Sequence, residues 1–135
     1  MDTKLRDFYL TSQVKNAAPG QLLVMLYDCL IDQAEHAEAA IASPEILRDP
    51  YPASQSVSRC INILTELSAT LRPGEYPELC ATLRNLYIFF TREFSESFSK
   101  RDPQRIRAIL PLIRELRGTW SEAYRRAGHA QLMVA

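Results

Sequence analysis

Apolar residues recur at spacings of three and four along nearly the whole chain, and no stretch alternates persuasively as a strand would. That period belongs to amphipathic helices. Four long segments carry it. The first starts near Pro19, a residue suited to the first helical position, with a seam at Leu23, Leu26/Tyr27, Leu30, Ala34, Ala37 and Ile41. The second runs from about Ser54 to Leu71 through Val57, Cys60/Ile61, Leu64 and Leu67/Ser68. The third runs from about Tyr76 to Phe98 through Leu79, Leu83, Leu86/Tyr87, Phe90 and Phe94. The fourth opens with Asp102 as cap and Pro103 as first residue. It carries Ile106, Ile109/Leu110, Ile113, Leu116, Trp120 and Ala123/Tyr124, with Gly128 as its expected stop.

Breaks fall at the prolines. "SPEILRDPYPAS" is held open by Pro44, Pro50 and Pro52, with room for one short turn near Glu45–Leu47. Pro73 and Gly74 separate the second and third segments. Pro111 sits inside the fourth, where it removes the bond to the Arg107 carbonyl and predicts a kink or short break. Long helices with short joins predict an all-α fold, an antiparallel four-helix bundle over residues 19–128. Residues 1–18 form an N-terminal arm and residues 129–135 a C-terminal tail.

The apolar pattern exceeds what one seam per helix can bury. "LLVMLY", Leu22 to Tyr27, covers the whole circumference of its helix. At 100° per residue Val24 falls about 110° and Met25 about 150° from the seam centre, with Ile31 near Val24. On the third helix Ile88 lies about 150° and Phe89 about 110° away; Ile63 and Leu112 are about 90° off on the second and fourth. Taken singly these are ordinary boundary residues. As a set, with Met and Phe among them, they suit an adaptable apolar surface. The arm, with Leu5, Phe8, Tyr9 and Val14, is apolar enough to lie over part of it.

Charge adds one structural point and excludes several functions. Lys and Arg number 16 against 16 Asp and Glu, so no global field favours nucleic acid or an anionic membrane. The first helix is acidic at Asp28, Asp32, Glu35 and Glu38, whereas the segment after Lys100 is basic. Neighbouring in an up-down bundle, the two would attract. Cys29, Cys60 and Cys80 lack CxxC spacing and read as buried free thiols of a reducing compartment. "MDTKLRDFYL" shows no apolar signal-peptide core, and LLVMLY is too short to span a bilayer. A soluble cytoplasmic protein is expected. Asp28, Asp32, Glu35 and His36 invite a metal, but bundle sites need inward carboxylates and Glu-x-x-His pairs, which are missing. No nucleophile–base spacing or Gly-rich phosphate loop is present. Arg59, Arg84, Arg92 and Arg117 leave open an anion pocket of a small helical enzyme or ligand-binding bundle. An obligate oligomer packing its off-seam residues against copies of itself is a third option.

Several segments, in order, resemble one family. Tyr9 and Val14 match its opening tyrosine and valine; "NAAPGQLLVMLYD", through Pro19, Gly20, Met25, Leu26, Tyr27 and Asp28, resembles its T-A-[ST]-P…M-L-Y-[DN] segment. "AEAAI", "INILTELSATL", "LCATLRNLYIFF" and "IRELRGTWSEA" follow with matching spacing, over about 115 residues. The chain resembles the flagellar export chaperones, FliS. It departs from their pattern at Ala18, where a capping Ser or Thr is usual, at Cys29, where Gly is common, at Phe89, a second tyrosine in the family, and at Pro111 and Gly118. The family's polar C-terminal tail is nearly absent.

The resemblance implies a bundle that holds the C-terminal segment of flagellin, wrapped around it in non-polymerising form, and delivers it to a component of the flagellar type III export gate. It implies no catalysis, cofactor, nucleic acid or membrane insertion; a weak homodimer is a further option. The expected partner-binding residues are Phe8, Tyr9, Val14, Val24, Met25, Ile31, Ile63, Tyr87, Ile88 and Phe89.

Overall fold

A computed structural model describes residues 19–74 and 76–127. They form helices α1 (Pro19–Ala42), α2 (Tyr51–Ala69), α3 (Pro77–Ser99) and α4 (Gln104–Ala127), with a 3-10 turn at Pro44–Leu47. No β-strand occurs among the described residues. Each helix packs on the next and α4 closes on α1, which is the ring of an up-down bundle. Phe8, Tyr9, Val14, Ala18 and Gly128 lie outside the described residues.

Local hydrogen bonds hold each of the short joins. Ser43 Oγ accepts from the Glu45 N–H at 3.1 Å and starts the 3-10 turn, whose Ile46 is buried. α2 begins three residues before the expected Ser54. Asp49 Oδ1 accepts from the Tyr51 N–H at 3.2 Å and Pro52 sits in the first turn, so "DPYP" starts the helix instead of holding a loop open. Between α2 and α3 the Cys80 thiol donates to the Arg72 carbonyl at 3.3 Å.

The α3–α4 turn is a Schellman motif. The Asp102 N–H donates to the Ser97 carbonyl at 2.9 Å and the Arg101 N–H to the Phe98 carbonyl at 3.2 Å. Arg101 takes the left-handed position at φ 54°, usually given to glycine. Its guanidinium lies 4.7 Å from the Phe98 ring centroid. The buried Ser97 hydroxyl donates to the Asp102 carbonyl at 2.6 Å, and Asp102 Oδ1 accepts from the Gln104 N–H at 3.1 Å, opening α4.

The α1 seam is buried as the periodicity predicts. Elsewhere there are three corrections. Ile63 is core, at 4% exposure, because α2 lies between α1 and α3 and buries two flanks, so Ala53, Ser56 and Ile63 run beside Val57, Cys60 and Leu64. Leu79, placed on the α3 seam, is exposed, being the third residue of the helix at one end of the bundle. Pro111 does not break α4, which is continuous from Gln104 to Ala127. Pro111 and Arg107 are both exposed, so the carbonyl that loses its helical bond meets water.

The expected attraction of α1 and α4 is realised as three ion pairs. Arg107 pairs with Glu38 and Arg114 with Glu35, while Arg117 meets Asp28 through two bonds at 2.8 and 3.4 Å. Numbers rise along α4 as they fall along α1, as antiparallel neighbours require. On the other flank of α4, Arg105 meets Glu93 of α3 at 3.2 Å.

Candidate partner-binding surface

The candidate residues divide into three groups. Ile88 and Phe89 stand out from α3 at 55% and 40% exposure. Val24, Met25 and Ile31 on α1 are half-buried, and Val24 and Ile31 also pack against the core. Ile63 and Tyr87 are inside and present nothing to a partner in this structure. For Tyr87 the reason is chemical as well as steric: its phenol meets that of Tyr27 at 2.7 Å, joining α1 to α3 across the bundle's centre. Burial pushes both phenols above their ordinary range; at Tyr27 the bond to Tyr87 and the nearby Trp120 indole oppose it. The Trp120 Nε1–H is buried and falls short of hydrogen-bond geometry.

The candidates that are not buried do not line one groove. α1 and α3 are diagonal in the ring. Met25 and Ile88 both turn well away from their seams, so they project from opposite sides of the bundle. Phe89 faces the α4 side of α3, the side on which Glu93 reaches Arg105, and its ring lies 6.0 Å from that of Phe90. Sequence reasoning missed four more exposed apolar residues: Leu47 at 82%, Tyr51 at 64%, Tyr76 and Leu79. Each sits at a helix end beside a proline or a turn, where no neighbouring helix continues to cover it. The flanking prolines were the available signal.

The arginine set does not converge. Arg117 is committed to Asp28, and Arg84 and Arg92 are exposed on α3. Arg59 on α2 is partly buried and its guanidinium is held below its ordinary range by desolvation. Among the described residues no cluster of His, Cys, Asp or Glu has metal-site geometry, and no helix is long and apolar enough to cross a membrane. The three thiols are free. Burial, followed by Asp28 and Asp32, raises the Cys29 thiol above its ordinary range. A shallow depression on the outside of α4 is floored by Gly118 and Ala123 and edged by Glu115 and Glu122.

A surface of apolar residues on several faces, with no reactive centre among the described residues, fits the segments read as chaperone-like. The family model described as flagellar protein FliS matches residues 1–127. The chain belongs to the FliS family. A flagellar secretion chaperone FliS of Vibrio cholerae is 23% identical over 111 residues, covering 82% of this chain and 79% of its own. One of Bacillus subtilis is 25% identical over 115 residues, covering 85% and 82%. FliS membership makes this helical bundle a flagellar secretion chaperone, a class of protein whose partner is another protein chain.

Proposed function

We propose that this chain binds the C-terminal segment of flagellin in the cytoplasm, keeps it from polymerising and delivers it to the flagellar export gate. The observation that carries the reading is the placement of Met25 and Ile88 on opposite sides of a bundle whose core is already filled. A client contacting both must pass around the bundle. An extended segment with short helical stretches does so, each stretch laying its apolar face on a separate patch, a known mode of helix recognition. Flagellin's own C-terminal segment must hide its apolar face in the filament, so before assembly it needs a substitute surface.

The test is calorimetric titration with the last several dozen residues of the flagellin from the same organism. One-to-one binding with a negative heat-capacity change is expected, since apolar area is buried. Met25→Asp combined with Ile88→Asp weakens binding by more than about 100-fold and leaves the helical circular-dichroism signal unchanged. Unchanged affinity in that double variant sinks the assignment of these patches.

A further inference from the structure

Every arginine of α4 is matched. Arg105, Arg107, Arg114, Arg117, Arg125 and Arg126 each lie within ion-pair distance of a carboxylate. The two arginines on the outside of α3 are different. Among the described residues Arg84 and Arg92 have no carboxylate at that distance. The nearby acids of α3 are engaged elsewhere, Glu93 with Arg105 and Glu96 with Lys100. Arg92 acts on Glu96 only at longer range.

Arg84, Ile88 and Arg92 occupy successive turns. They fall within an arc of about 80°, and the two guanidiniums spring from points about 12 Å apart along the axis. Ile88, more than half exposed, stands midway. Ala81 and Ser95 extend the same arc and are small, so a second backbone can approach closely. The strip therefore offers one apolar contact bracketed by two uncommitted cations. Arginine is the cation suited to gripping carboxylates through two parallel bonds.

We propose that Arg84, Ile88 and Arg92 read an amphipathic helix whose apolar stripe is bracketed by carboxylates about two turns apart. The inference rests on the client reading above, with that helix being the part of the client that crosses α3. Ile88 supplies contact area, and the arginines select register, because a helix slid by one turn loses both carboxylates.

The experiment uses three probes on the full chain. One is the flagellin C-terminal segment. The others are a helical peptide with Leu at its centre and Glu at two positions eight residues apart, and the same peptide with Gln at those positions. The Arg84→Gln/Arg92→Gln variant is expected to melt like the wild type and to bind the flagellin segment about tenfold more weakly. Its affinity also loses most of its dependence on added salt. The wild type prefers the Glu peptide to the Gln peptide by a similar factor and the variant shows no preference. Arg84→Lys/Arg92→Lys restores part of the binding. If the variant binds the flagellin segment as the wild type does, with the same salt dependence, the strip does not read charge, although the client reading stands. If the wild type ignores the flagellin segment, the client reading falls and the peptides decide alone: a Glu preference lost in the variant upholds the strip, and no preference overturns it. A dimer seen by sedimentation and dissolved by the same variant also overturns it, assigning the strip to a second copy.

Discussion

Two phenols meet in a core built mainly of aliphatic and benzyl side chains. The Tyr27 and Tyr87 hydroxyls satisfy each other at 2.7 Å with almost no solvent access. Removing either strands the other, so Tyr87→Phe is expected to cost about 1–2 kcal/mol, measured by urea denaturation. The double change to Phe should cost less than the two single changes summed, because neither hydroxyl is then left unpaired. The cysteines give a second residue-scale outcome. Cys29 is half-buried beside Asp28 and Asp32 and its thiol is raised; Cys60 is fully buried and its thiol is raised well above the usual range. Thiolate is the reactive form. At pH 7.4 the native protein should react with a disulfide reagent far more slowly than free cysteine, and the denatured chain should react at the ordinary rate. Burial at Cys60 and on the α1 seam was legible in the sequence, because period alone decides it. The Tyr27–Tyr87 bond was not, since nothing in one helix's pattern says which residue of another helix it meets.

At the scale of elements, helix existence followed from periodicity, while boundaries and flanks followed from neighbours. α2 shows both. Its seam was readable, yet it starts at Tyr51, whose N–H donates to Asp49 and which is followed by Pro52 in the first turn, and it buries Ile63 because helices flank it on two sides. A single helical wheel shows only one contact direction, and on it Ile63 falls outside the seam. α4 holds two residues unsuited to helix interiors, and their surroundings decide what replacement does. Pro111 is exposed within an unbroken helix, and a methyl at Gly118 meets nothing within 4 Å. Pro111→Ala should raise stability by about 1–3 kcal/mol and Gly118→Ala by about 1 kcal/mol, read as higher melting temperatures. Arg101 in the α3–α4 turn is the corresponding case outside a helix, in a left-handed position that favours glycine.

For the whole molecule, net charge near zero conceals a strong internal division. α1 is acidic on the flank where α4 is basic, and the division was legible as blocks of like charge along the chain. The surface proposed for the client was legible only in part. Ile88 and Phe89 stood out as apolar residues off the seam, and the structure leaves both exposed. Their separation from Met25 by the width of the bundle depends on which helices are diagonal, which composition and period do not encode. Charge also sets the response to acid. Hydrogen bonding to Lys100 holds the Glu96 carboxyl below its ordinary range, and Arg125 and Arg126 do the same for Glu122. Both carboxyls therefore favour the folded state above the ordinary carboxylate pKa of about 4.3. That contribution disappears as pH falls through their lowered values. Melting temperature measured against pH should decline below about pH 4.5, and the decline should be shallower in 1 M salt, which screens exposed pairs.

The antiparallel pairing of α1 with α4 also has a mechanical meaning. Pro19 and Ala127 emerge at the same end of the bundle, so tension applied at those two points acts across the α1–α4 contact rather than along it. The load then falls on one ion pair at a time, Arg117–Asp28 first, then Arg114–Glu35, then Arg107–Glu38. A joint loaded in this way peels open at low force, where the same contacts loaded in shear would break together and hold.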